Sequence, residues 1–175
     1  MSTLDKTMTK AAVLRLGDLV CRGHYPLRDL LELTFHEKYE IAFRASWVLE
    51  QVVTGCLTVF NPDLNDFLAR YPLQNNTSCR RHYAKILVCL FERGAVGDYD
   101  TVPVTEATFD WLIDPATPVA VKVHCMEALL HLSKELDWIG PELKAQTEFL
   151  MEQGSPGMRS RGRKILARLR TDGTR

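Results

Sequence analysis

Between residues 118 and 132 the chain reads PVAVKVHCMEALLHL, in which Val121, Cys125, Ala128, Leu129 and Leu132 fall at steps of 0, 4, 7, 8 and 11. That spacing places all five on one face of an α-helix. The same template recurs as Ile41, Ala45, Val48, Leu49 and Val52; as Cys79, Tyr83, Ile86, Leu87 and Leu90; and as Met158, Gly162, Ile165, Leu166 and Leu169. The intervals are 38, 42 and 37 residues, and Gly162 alone among the twenty positions lacks an apolar side chain. No sustained alternation of β-branched and polar residues suggests a strand.

Shorter apolar-faced segments lie between these helices: Leu27, Leu30, Leu31 and Phe35; Leu64, Phe67, Leu68 and Tyr71; Phe109, Leu112 and Ile113; Leu143, Phe149 and Leu150. Pro26, Pro62, Pro103 and Pro141 stand at or near their starts, where a missing amide proton costs least. Pro72, Gly94, Gly97, Gly154 and Pro156 punctuate the gaps after helices. A period near 40 built from two helices predicts an all-α fold, an α-α superhelix (α-solenoid) in which each hairpin covers its neighbour's apolar face. The expected organisation is a single domain over residues 1–175, with a capping helix at 5–22 and hairpins at about 26–54, 60–93, 103–136 and 141–170.

The stretch DPATPVAVKVHCMEALLHL resembles the second helix of a HEAT repeat: Asp114 and Pro115 form the turn, and Val121, Lys122, Cys125, Ala128 and Leu129 match the positions that follow. Arg80 and Arg159 supply the basic position in two other repeats, whereas Ala42 departs from it, and Tyr83 is large where the pattern has a small residue. FRASWVLEQV, FDWLI and ELDWIGPELK are similar to short bacterial HEAT-like proteins, some of which carry the label adenylosuccinate lyase; the resemblance runs from about residue 13 to 169. The label implies a lyase activity. The lyase superfamily's mobile loop, however, reads Gly-Ser-Ser-x-Met-Pro-x-Lys-x-Asn, and the nearest stretch here, GSPGM at 154–158, lacks the second Ser, the Lys and the Asn.

Composition narrows the remaining choices. With 46% hydrophobic residues the chain can bury a sizeable core, and 22 Lys and Arg balance 22 Asp and Glu, so no global field recruits nucleic acid or an anionic membrane. The balance is uneven: seven basic residues from Arg159 onward against Asp172 leave the segment from Gly154 at plus six and the first 153 residues at minus six. No stretch approaches the roughly 18 apolar residues of a membrane span, and charges through the N-terminal region interrupt any signal-like run, so a cytoplasmic protein is expected. The five cysteines, Cys21, Cys56, Cys79, Cys89 and Cys125, contain no C-x-x-C pair and read as free, mostly buried thiols.

Residues that could carry chemistry do not assemble into a set. His124 and His131 are seven apart, roughly 10 Å along a helix axis, too far to share one metal ion. The one His-Glu dipeptide, His36-Glu37, cannot by itself supply a di-iron centre, and neither a nucleophile elbow nor a phosphate-binding glycine loop occurs. No catalytic residue, metal ligand or cofactor is therefore expected, and the chain reads as a non-enzyme.

What remains is a pattern of cations. The position three beyond each template start is Arg44, His82, His124 and Arg161; the position one beyond includes Arg80, Lys122 and Arg159. Stacked repeats would set these along the second helices, with Trp47 as a flat contact, and the row suits an acidic peptide or a phosphate backbone. The leading expectation is a module that binds a protein or peptide on its second helices. Nucleic-acid or phosphate binding through these rows and the basic C-terminal helix is the alternative, and a lyase-related enzyme the third.

Overall fold

The computed structural model describes residues 8–172. The fold is all-α, helical hairpins of the α-solenoid kind, with no strand among the described residues. Its elements are α1 (Lys10–Cys21), α2 (Leu27–Leu33), α3 (Tyr39–Gly55), α4 (Leu57–Phe60), α5 (Leu64–Arg70), α6 (Thr77–Glu92), α7 (Val102–Ile113), α8 (Val119–Leu132), α9 (Ile139–Glu152) and α10 (Pro156–Asp172). Short 3-10 turns at Asn61–Asp63 and Tyr71–Leu73 flank α5. The chain clusters into two compact units that divide between Tyr99 and Asp100.

In the first unit α1 and α2 both pack on α3, and α3 packs on α6. The template stripe is the reason: Ala45, Val48, Leu49 and Val52 of α3, and Cys79, Tyr83, Ile86, Leu87 and Leu90 of α6, are essentially inaccessible. The two helices run parallel. Near their starts the Tyr39 hydroxyl lies 2.7 Å from Ser78 Oγ, and at their ends Arg93 Nη2 donates to the Thr54 carbonyl at 2.6 Å. In the second unit α7 packs on α8, α8 on α9 and α10, and α9 on α10, burying Val121, Cys125, Ala128, Leu129 and Leu132.

The capping helix is shorter than the expected 5–22. Thr9 accepts a hydrogen bond from the Ala12 amide through its side chain, which starts α1 at Lys10; residues 5–7 lie outside the described residues. Two helices end on left-handed glycines, Gly23 (φ 76°) and Gly94 (φ 61°). The following amides fold back to a carbonyl five residues earlier, His24 to Leu19 and Ala95 to Leu90, both at 2.9 Å, a Schellman turn that a β-carbon would strain.

The partner helices depart from expectation in two ways. The segment before α6 is broken into α4, two 3-10 turns and α5, because Pro62 and Pro72 each interrupt the hydrogen-bond ladder. The broken element leaves room for a large side chain, and Tyr83 fills it, its ring 4.9 Å from Phe67, 6.1 Å from Tyr71 and 6.2 Å from Phe35. Gly162 is the converse: a β-carbon there would run into the Met151 side chain and stand 3.2 Å from Thr147 Cγ2, so α9 supplies the bulk that α10 omits.

Second, Ile113 and Phe149, counted above on buried faces, are half or more exposed. Their helices instead bury Thr105, Thr108 and Thr147. The Thr105 and Thr108 hydroxyls donate to carbonyls one turn back, at 2.9 and 2.6 Å, so a residue that reads as polar behaves as a β-branched apolar one. Leu166 and Leu169 complete the α10 stripe but stay half-buried, on the wall of an open cavity of about 820 Å³ shared with Lys134, Lys144 and Arg170.

Candidate interaction surface

The two cationic rows go to different places. The row one beyond the template start turns back on the loop before its own helix. Arg80 Nε donates to the Gln74 carbonyl at 2.8 Å and Arg159 Nε to the Gly154 carbonyl at 3.0 Å. Lys122 is buried beside Asp114; burial pulls its ammonium below the ordinary lysine range and the Asp114 carboxylate pulls the other way. Asp114 holds the turn itself, accepting from the Ala116 amide at 2.8 Å and the Thr117 hydroxyl at 3.4 Å. A guanidinium that satisfies a loop carbonyl ties the hairpin together. Arg159 nevertheless keeps an exposed surface.

Of the row three beyond the template start, His82 and Arg161 face the preceding second helix of their own unit. In the first unit His82 Nδ1 lies 2.7 Å from Glu50 Oε2, both side chains only 6% accessible, and Lys85 Nζ donates to Glu50 Oε1. In the second unit Arg161 Nη1 reaches Glu127 Oε2 at 3.4 Å, and Arg168 also pairs with Glu127. Arg44 and His124, at the equivalent positions of α3 and α8, are half-buried.

Glu50 organises the first of these clusters. Burial alone would raise its carboxyl, but hydrogen bonds from His82 and Lys85, with their charges, outweigh that and hold it below the usual carboxylate range. An ionised carboxylate only accepts, so the His82 Nδ1 proton donates to it. Phe43 packs on the imidazole at 5.3 Å, and Trp47 stacks nearly parallel to it at 6.5 Å and 21°. Phe43 and Trp47 are themselves 6.2 Å apart. The opposite ring nitrogen, His82 Nε2, is buried with no hydrogen-bond partner among the described residues. The result is an aromatic face on α3, half open to solvent, fixed from below by a buried carboxylate and imidazole. Lys85 (46% accessible), paired with Glu50, borders it on α6, and Arg81, one turn earlier on the same helix, is exposed.

Sequence reasoning marked Arg44, Trp47 and His82 but missed Glu50 and Phe43. The available signal was an acidic residue inside the apolar run WVLEQVV, where it could not face water. Other singled-out groups take structural places. His36 Nδ1 accepts from the Lys38 amide at 3.0 Å at the entry to α3, Ser155 Oγ accepts from the Met158 amide at 3.3 Å at the start of α10, and Cys125 is fully buried. Burial pushes the Cys79 thiol up to about 11. No group of three or more His, Cys, Asp or Glu side chains that could hold a metal occurs among the described residues, and no helix there is long and apolar enough to cross a membrane.

A stack of helical hairpins whose second helices carry the core stripe defines a helical-repeat scaffold. A family model described as HEAT repeat domain matches residues 1–169, and the chain belongs to that family. No curated protein sequence and no solved structure matches it. HEAT repeats are typically non-enzymatic and generally mediate protein interactions.

Proposed function

We propose that this is a cytoplasmic, non-enzymatic interaction module that holds an acidic peptide segment of a partner protein on the second helices of its first unit, at Arg44, Trp47, Phe43 and the adjoining edge of α6. The observation that carries the reading is the Phe43–Trp47 face fixed against His82 by Glu50. Rigid aromatic side chains give large contact area with little ordering entropy left to lose, which is why such residues dominate binding energy at interfaces. Arg44 on α3 and Lys85 beside Glu50, with the exposed Arg81 one turn before Lys85, complement a carboxylate-bearing partner.

The test is anisotropy of a labelled peptide of alternating glutamate and leucine, with a lysine-leucine peptide as the control. Trp47→Ala is expected to weaken binding of the acidic peptide at least roughly tenfold, and Arg44→Ala several-fold with a reduced salt dependence. Equal binding of both peptides, or no change in either variant, overturns the reading. A pulldown from the host comparing the native protein with Trp47→Ala then identifies the partner.

One observation favours a second reading, a phosphate-backbone ligand. Arg159, Arg163 and Lys164 are exposed on α10, in the segment with a net charge of plus six. Retention on phosphocellulose should then fall steeply with salt and drop on changing Arg163 and Lys164 to Ala; elution at low salt removes this alternative.

A further inference from the structure

α1 meets α3 at a glycine. Gly17 is buried, and a β-carbon on it would stand 3.3 Å from Gln51 Cβ and 4.0 Å from the Val52 amide nitrogen, so the helices approach closely here. One turn beyond Gly17 lies Cys21, the last residue of α1. One turn beyond Val52 lies Cys56, which follows α3 and whose amide donates to the Val52 carbonyl at 2.7 Å. Each thiol thus lies one turn from the close approach, and the Cys56 thiol is near enough to act on Cys21, raising it. Both residues are half-buried, within reach of a small solute, whereas Cys79 and Cys125 are fully buried. Nothing in the proposed peptide surface uses this pair.

We propose that Cys21 and Cys56 form a modification site, closing to an intramolecular disulfide in response to a peroxide and fastening α1 to the end of α3. The Cys56 thiolate attacks one peroxide oxygen, releasing hydroxide and leaving a sulfenic acid. Cys21 then attacks that sulfur, giving up its proton and expelling the hydroxyl as water, so two thiols lose two electrons and the peroxide gains them. The order follows from the surroundings. Burial first, then the neighbouring Cys56 thiol, push the Cys21 thiol up to about 12, so Cys21 is the poorer first nucleophile and enters second. Disulfides need α-carbons within roughly 7 Å, a spacing that a glycine crossing one turn away favours.

The test treats the full chain with hydrogen peroxide, blocks remaining thiols with iodoacetamide and digests it without reductant for mass spectrometry. The expected product is a monomer carrying a Cys21–Cys56 linked peptide, with three of the five thiols still alkylated and dithiothreitol restoring all five. Closing a loop of about 35 residues should raise Tm by on the order of 5–10 °C, reversibly. In Cys21→Ser the Cys56 sulfenic acid should persist and be trapped by dimedone. Absence of the linked peptide, linkage through Cys89 at comparable yield, or intermolecular dimers as the main product would overturn the proposal, and the native protein suffices to read all three. Peptide binding at Trp47 is measured separately, so failure of either reading leaves the other to stand or fall alone.

Discussion

Tyr83→Ala is expected to lower the unfolding free energy by about 4 kcal/mol, measured as the shift of a urea transition at constant slope. The ring is wholly inaccessible and contacts Phe35, Phe67 and Tyr71, so truncation leaves a void that a proline-bounded, already broken partner element has little means to close. Its hydroxyl adds a separable part. Thr34 has one hydroxyl proton and donates it to the Leu31 carbonyl at 2.6 Å, so across the 2.6 Å contact between the two side chains Tyr83 is the donor. Tyr83→Phe removes that bond while keeping the volume and should cost about 1 kcal/mol. Equal losses from the two substitutions would show that the void left by the ring contributes little. Burial holds the Tyr83 phenol well above its ordinary range, against its side-chain hydrogen bonds with Thr34 and Gln74. Its stabilising contribution is therefore complete below about pH 10, the unfolded value, and declines as pH rises from there toward the folded one.

Glu50→Ala is expected to cost about 2–3 kcal/mol. Breaking a fully buried ion pair costs about 3–5 kcal/mol, but Lys85 is nearly half accessible and can be rehydrated, which discounts the figure. The remaining loss falls on His82, left without an acceptor for its Nδ1 proton beneath Trp47. The acid limb gives a second check. The folded Glu50 carboxyl titrates below its unfolded value of about 4.3, so its contribution is fully present above that pH and is lost as pH falls through the folded value. Urea midpoints between pH 6 and pH 3 should fall less steeply for Glu50→Gln than for the native protein; parallel curves would show that the carboxylate is not what holds the cluster.

Tyr83 and Glu50 also mark where local pattern stops being informative. Periodicity showed that position 83 faces the core, and the resemblance made its size an anomaly. Why it is large depends on the partner segment, whose two prolines were visible but whose breakage into 3-10 turns was not. Gly162 shows the same dependence in reverse, since its vacancy is filled by Met151 and Thr147 from another helix. Glu50 read as an interruption of an apolar run, and only the parallel packing of α3 on α6 brings His82 and Lys85 to it. The cationic rows were legible as positions, while their directions were not. Arg80 and Arg159 turn back to loop carbonyls, and His82 and Arg161 turn to the preceding second helix of their own unit.

By itself the sequence determined the helical class, the recurring stripe, the positions of the second helices and the glycine stop at Gly94. Each of these follows from steps of three and four residues within one segment, which backbone geometry converts directly into a face. Tertiary structure alone decided which cations remain open, which carboxylate is buried, which side chains fill the spaces left by Pro62 and Gly162, and that Cys21 meets Cys56. These depend on the register between helices that are separate in sequence, and that register is set by how whole side-chain surfaces interlock, a property no single helix carries.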